Sequence, residues 1–250
     1  MTLFSMVFLA FGAAAISYAL TPATRRLALR LGAVDRPGPR KVHEAPIPRL
    51  GGLAVVAAVV TGSGVLCFLH ARGIHTLSDP SCAGLGLGLL PILVVSLWDD
   101  IRPLPALPKF AAQFAGAGIA VAFGIRLGPQ IHLFGHEITL GFFAVPLALL
   151  WIVGVTNAFN IVDGLDGLSA GLALISALSL VLVSLLTTRY AMASASLVVA
   201  GALVGFLPYN LYPAKVFLGD TGAAAVGFWL ACLALRGGST LSAGMAVLIP

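Results

Sequence analysis

A chain of 250 residues ordinarily suggests one large soluble domain or two small ones. Here 59% of the residues are apolar and only 9% are charged, with a mean hydropathy of +1.04, against about 25% charged in a typical soluble domain. That excludes a soluble enzyme, a secreted disulfide scaffold, a nucleic-acid-binding module and a disordered protein, and apolar runs without alternation argue against a β-barrel.

The expected fold is all-α: one polytopic membrane-embedded domain over residues 1–250, with about nine transmembrane helices. The first apolar run, about Leu3 to Leu20, has no positive n-region and a basic cluster follows it, so it reads as a true first helix and not a signal peptide. Further helices are expected at about 51–70, 84–98, 109–125, 139–158, 168–187, 190–208 and 216–235, and a ninth begins near Leu241. Gly and Pro punctuate the joints, among them Pro37, Pro46, Pro80, Pro103, Pro129 and Pro213. No linker is long enough to separate a second domain.

The net charge of +5 is a topology signal and not a nucleic-acid stripe, because seven of fourteen Lys+Arg fall between Arg25 and Arg49. The odd loops (23–50, 99–109, 159–167, 209–215) hold ten Lys+Arg and the even loops four: Arg72, Arg126, Arg189 and Arg236. The positive-inside rule then puts the odd loops in the cytoplasm and the N-terminus outside. By the same parity Asp79 and Glu137 are outside, and Asp35, Glu44, Asp99, Asp100, Asp163, Asp166 and Asp220 are inside. Cys67, Cys82 and Cys232 form no CxxC pair and read as small core hydrophobes. His70, His75, His132 and His136 belong to outer loops and offer little.

Five inner aspartates abut apolar sequence at helix ends. Each would cost about 2.5–3.5 kcal/mol at full membrane depth, so a shared wet cleft at one face is expected. The adjacent pair Asp99-Asp100 repels itself unless a cation neutralises it, and a hard divalent ion is one such cation. Lys109 follows closely, where an ammonium could meet a phosphate. In Asn157–Leu168 polar residues recur at Asn157, Asn160, Asp163 and Asp166. A three-residue step slips about 60° on an α-helix, so convergence of all four needs the helix to tighten or unwind, which Gly164 and Gly167 permit. Asp220, in Phe217–Gly222, reads as an N-cap, a metal ligand or both. The stiff, basic first loop, with Arg40, Lys41 and His43 followed by Ile47–Gly52, suits anionic headgroups or pyrophosphate, or serves only as a topology anchor.

Taken in order, Asp35–Gly52, Asp99-Asp100, Asn157–Leu168 and Phe217–Gly222 make the whole chain resemble the polyprenyl-phosphate N-acetylhexosamine-1-phosphate transferases. The first loop is closer to the N-acetylglucosamine-1-phosphate subgroup than to the phospho-MurNAc-pentapeptide transferases. The resemblance implies that undecaprenyl or decaprenyl phosphate attacks UDP-N-acetylglucosamine at the cytoplasmic face of the inner membrane. The products are polyprenyl-diphosphate-GlcNAc and UMP, and Mg²⁺ is the expected cofactor, with Mn²⁺ as an alternative. It assigns Asp220, with Asn160, to the metal, and Asp99 and Asp100 to placing or deprotonating the lipid phosphate, with Lys109 beside them. Asn157, Asn160, Asp163 and Asp166 would hold the nucleotide and support the metal. Arg40, Lys41 and His43 would contact substrate, and a homodimer is admitted.

Two departures stand out. Ala223 replaces the more usual Ser, and no histidine follows His136 although the family carries a histidine-containing cytoplasmic loop further on. The chain is therefore expected to lack the family's C-terminal helices and that loop. Competing readings are another UDP-HexNAc substrate, an ion-coupled transporter and an inactive fragment. A transporter would place its acids near the midplane, whereas these lie at one face.

Overall fold

Apolar runs with few internal breaks favour helices, and the computed structural model, which describes residues 3–37, 45–71, 80–128, 130–133 and 136–237, is built of them. They are α1 (Leu3–Leu31), α2 (Gly52–Ala71), α3 (Pro80–Ile101), α4 (Ala106–Ala122), α5 (Ala144–Val162), α6 (Leu168–Leu186), α7 (Tyr190–Asn210) and α8 (Gly219–Gly237). Two short antiparallel ladders are added to the expected helices: β1 (Val34–Asp35) with β2 (Ile47–Pro48), and β3 (Gln130–Leu133) with β4 (His136–Thr139). The helix expected from Leu241 lies outside the described residues.

Two helices run further than their apolar runs. α1 continues past Leu20 to Leu31, so Arg25, Arg26 and Arg30 are helical and not in a loop. Hydropathy falls where the arginines begin, but Ala, Leu and Arg are good helix formers, and buried Ala28 packs with Ala33 and Leu50. α3 likewise continues through Ile101, which puts Asp99 and Asp100 in its last turn.

Five helical stretches are long and apolar enough to cross a membrane: Leu3–Leu31, Ser81–Ile101, Gly141–Val162, Leu168–Leu186 and Tyr190–Asn210. Gly52–Phe68 and Ala106–Ala122 are shorter apolar helices. Their outer faces carry large side chains that water would not tolerate, such as Phe4, Phe8 and Phe11 on α1 and Ile175, Leu182 and Leu186 on α6. Together they indicate a multi-pass membrane protein.

The inner faces are built for close approach. α8 is the axis, with residues 221–235 all buried, and α2, α3, α5, α6 and α7 pack around it. Gly52 of α2 lies back to back with Gly222 of α8, where a Cβ on either would strike the other's Cα. α1 docks on α7 through Ala10 and Ala14, set against Gly201 and Gly205, a small-residue spacing that lets helix backbones touch. Replacing Gly205 by Val drives a branched side chain into the Ala14 backbone. Overpacking of this kind costs about 1–3 kcal/mol, visible as a lower Tm in detergent. Gly12→Ala, with nothing within 4 Å of the new Cβ, is expected to leave Tm unchanged.

Candidate active site

Segments before α2, before α4, after α5 and before α8 meet at one end of the bundle. There the first loop and the segment before α8 pair through their backbones: Phe217 N–H donates to the Pro48 carbonyl (2.8 Å), Gly51 N–H to Phe217 (3.0 Å) and Gly52 N–H to Leu218 (2.8 Å). Arg49 N–H also donates to the Ala33 carbonyl at 3.0 Å. This strap explains the two consecutive glycines. A Cβ on Gly51 would meet the Phe206 ring and the Phe217 carbonyl, and one on Gly52 would meet α8.

The strap delivers Arg49 to the aspartates. Arg49 Nε is 3.7 Å from Asp100 Oδ1, and its Nη2 is 3.8 Å from Asp220 Oδ1. From the other side Lys109, in the first turn of α4, places Nζ 2.7 Å from Asp99 Oδ2 and 3.1 Å from Asp220 Oδ2. Two prolines between α3 and α4, at 103 and 105, shorten the connection, and Leu104 N–H donates to Asp99 Oδ1 at 2.6 Å. Asp220 thus sits between an ammonium and a guanidinium.

Asp100 has a different task. Only 4% exposed, it accepts Asp220 N–H on Oδ1 (2.9 Å) and both Thr221 N–H (2.9 Å) and Thr221 Oγ–H (2.6 Å) on Oδ2. A carboxylate from α3 therefore caps α8, supplying the acceptors that the first N–H groups of a helix lack. Asp220, expected as a cap, is instead the residue being capped.

The Asn157–Leu168 segment resolves by unwinding. α5 stays α-helical to Val162, Asp163 leaves the helix with φ −74° and ψ 44°, and a turn reaches Gly167 at φ +69°. Only glycine adopts that left-handed conformation without a Cβ penalty, whereas Gly164, which could equally have permitted the unwinding, has no positive φ. The four polar residues divide. Asp163 faces the start of α8 at Gly219 and feels the charges of Asp100, Asp220 and Arg49. Asp166 Oδ2 accepts Ala214 N–H at 2.8 Å and braces the segment before α8. Asn157 is half-buried in α5. Asn160, one turn past the point where Thr156 meets Gly227 of α8, keeps Oδ1 buried with no hydrogen-bond partner.

Burial, reinforced by the negative charges of Asp100 and Asp220, pushes the Asp163 carboxyl up to about 7, against the opposing pull of the Gly219 N–H and Arg49. A carboxyl raised in the folded state stabilises the fold when protonated, and that contribution is lost as pH rises from the unfolded value near 4 through 7. Asp163→Asn removes the charge. In detergent without divalent cations, the variant is therefore expected to gain Tm relative to wild type at pH 8 and not at pH 5. Equal differences at both pH values would refute this.

Among the described residues no three or more His, Cys, Asp or Glu side chains converge as a metal site. Magnesium needs less, since it typically takes one or two carboxylates together with substrate phosphates and waters. Asp220 and the uncommitted Asn160 oxygen are hard oxygen donors of that kind, so the residues present fit the ion. Arg40, Lys41 and His43 lie outside the described residues. Arg49 and Thr221 belong to the site yet were not among the substrate-contacting residues expected. The signal available for Arg49 was its place directly before Leu50-Gly51-Gly52.

Residues 82–238, from α3 through α8, match the family described as glycosyl transferase family 4. The chain belongs to this family. It is 39% identical over 219 residues to the "Probable undecaprenyl-phosphate N-acetylglucosaminyl 1-phosphate transferase" of Bacillus subtilis, covering 87% of this chain and 59% of that protein. It is 38% identical over 251 residues to the decaprenyl-phosphate N-acetylglucosaminephosphotransferase of Mycobacterium tuberculosis (strain CDC 1551 / Oshkosh), covering 93% and 59%. With the phospho-N-acetylmuramoyl-pentapeptide-transferase of Heliobacterium modesticaldum it shares 36% identity over 231 residues, covering 86% and 68%. The chain thus spans about three fifths of the length of the first two. The site's aspartates, Lys109 and α8 all fall within the matched region of this family 4 member.

Proposed function

We propose that this family 4 chain transfers N-acetylglucosamine 1-phosphate from UDP-GlcNAc to polyprenyl phosphate, releasing UMP and starting a lipid-linked cell-envelope glycan. The observation that carries this reading is the placement of Lys109 and Arg49 on either side of Asp220. Two cations set among three carboxylates at one end of a membrane bundle make a place where phosphates and a divalent cation can be charge-balanced together. The names of the relatives supply the polyprenyl phosphate and the N-acetylglucosamine 1-phosphate group, and the UDP carrier is our own reading. On the charge asymmetry of the loops we read the aspartate end as cytoplasmic, in an inner membrane, with the N-terminus outside.

The chemistry joins a lipid phosphate oxygen to the phosphorus next to the sugar while the bond from that phosphorus to UMP breaks. Phosphoryl transfer depends chiefly on positioning and charge neutralisation. A phosphate monoester has its second pKa at about 6, so the attacking phosphate is already largely dianionic and leaves little proton to remove. Asp99, held by Leu104 N–H, orients the Lys109 ammonium. Asp100 serves as a positioning residue for α8, a change from its expected place on the lipid phosphate. Lys109 and Arg49 would neutralise phosphate oxygens, and Asn157, Asp163 and Asp166 line the nucleotide side. Asp220 and Asn160 would hold magnesium, or manganese, which supplies further charge neutralisation when bound. We favour direct attack over an aspartyl-phosphate intermediate. Labelled phosphate trapped on the protein by UDP-GlcNAc alone would reverse that preference.

The deciding assay incubates membranes carrying the chain with labelled UDP-GlcNAc, polyprenyl phosphate and Mg²⁺. Lipid-linked label with equimolar UMP is expected, and its loss in Asp220→Asn. No label in either, with the two indistinguishable, would sink the reading. Label only from UDP-MurNAc-pentapeptide would favour the second reading that the Heliobacterium relative supports. Independently of turnover, Mg²⁺ at pH 8 is expected to raise Tm in wild type and not in Asp220→Asn.

A further inference from the structure

α1 is longer than a membrane core is thick. Its 29 residues span about 43 Å, against a hydrocarbon layer of about 30 Å. The docking of α1 on α7 fixes where the excess lies. Ala10 and Ala14 meet Gly201 and Gly205, and the Tyr18 and Tyr209 rings lie 5.2 Å apart. α7 ends at Asn210, so its contact with α1 is used up soon after Tyr18. From Leu20 to Leu31 α1 runs on for about 18 Å more, at the aspartate end of the bundle. The inward side of this extension is held where buried Ala28 packs with Ala33 and Leu50, against Leu53, Leu97 and Ile101. Its outward side carries Arg25, Arg26 and Arg30, all exposed, together with Leu27, Leu29 and Leu31 at 41%, 52% and 47% exposure. α1 contains no Asp or Glu to neutralise the arginines.

We propose that residues 20–31 of α1 are a docking surface for anionic phospholipid. Leucine and arginine side by side on an exposed helix suit neither water nor the hydrocarbon core. They suit the layer between, where arginine stems lie along apolar surface, guanidiniums reach headgroup phosphates and leucines meet the first acyl carbons. The overshoot of α1 beyond the core puts the segment at that depth. Charge complementarity selects lipid of net negative charge, because three arginines without a carboxylate in their helix attract an anionic surface and gain nothing from a zwitterionic one. A free phosphate would satisfy the guanidiniums but leave the leucines in water, so lipid is the occupant. The seat adjoins the active site through the backbone: the Ala33 carbonyl, just past α1, accepts the Arg49 N–H at 3.0 Å. Its residues take no part in the transfer chemistry.

The test melts the purified chain in detergent micelles doped with rising mole fractions of dioleoyl phosphatidylglycerol or of dioleoyl phosphatidylcholine. Wild type is expected to gain Tm saturably with the first lipid and not with the second, and to lose that gain in high salt. In Arg26→Gln the half-saturating mole fraction should rise about fivefold, and in Arg25→Gln/Arg26→Gln/Arg30→Gln about 10²-fold, which removes the gain over the usable range. Arg25→Lys/Arg26→Lys/Arg30→Lys keeps the charge and should keep the gain. If the triple glutamine variant does not fold, Arg26→Gln and Arg30→Gln taken singly decide the matter by the same fivefold criterion. An equal response of wild type to the two lipids, an undiminished gain in the glutamine variants, or the same gain from inorganic phosphate alone would overturn the proposal.

Discussion

Lys109→Met is expected to lower transfer of GlcNAc-1-phosphate roughly 10²–10³-fold, the loss typical when one charge-stabilising group is removed from an active site. The bundle should stay folded. Methionine keeps the length and apolar stem of lysine, so packing changes little. What disappears is the ammonium that touches Asp99 at 2.7 Å and Asp220 at 3.1 Å. Without it the two carboxylates face each other and repel, and an incoming phosphate meets one more uncompensated negative charge. Lys109→Arg should recover little, because a planar fork cannot put one nitrogen at both distances. Initial rates with both substrates, alongside thermal melts, check the prediction. A variant with unchanged rates would remove Lys109 from the site, and one that fails to fold would make it structural.

The second large effect is expected from Gly219→Ala. Gly219 has φ +73°, a backbone conformation that costs an L-residue about 1–2 kcal/mol. A Cβ there would also collide with the Arg49 carbonyl and lie 2.9 Å from Asp100 Oδ1. The first obstacle is backbone pinned by the Gly51 and Gly52 hydrogen bonds, so it cannot turn aside as a flexible side chain would. Relief requires the strap and α8 to part, which undoes the Arg49 contacts and the Asp100 cap together. Loss of about 3 kcal/mol or more in stability, with loss of transfer, is therefore expected. Gly164→Ala, with nothing within 4 Å of the added carbon, serves as the matched control and should retain both. A Gly219→Ala protein with wild-type Tm would show that the strap yields more easily than its hydrogen bonds imply.

The helices were legible because membrane-scale apolar runs leave few alternatives, and the gathering of the inner acids followed from counting loops. Lys109 beside Asp99 was legible from proximity along the chain. The limits of α1 and α3 were not, since hydropathy reports where charge begins and a helix ends only where its hydrogen bonds do. Nor could sequence divide Asp163 from Asp166 or make Asp100 a cap for α8. Those outcomes depend on which backbone N–H groups the tertiary fold brings within reach. Arg49 was seen as one basic residue in a basic loop. Its special position comes from a strand-like pairing between segments about 170 residues apart, and only the consecutive glycines after it hinted at close packing.

α8 carries a consequence of its own. The lipid-facing helices can exchange one large apolar residue for another, because acyl chains conform to whatever shape they meet. α8 meets only protein, and seven of the fifteen residues of its buried stretch are Ala or Gly, set among Phe228, Trp229 and three leucines. Hydropathy treats Ala→Leu there as an improvement, whereas volume makes it an intrusion. The helix that presents Asp220 should thus tolerate the fewest substitutions of any in the bundle, on grounds of size and not of polarity.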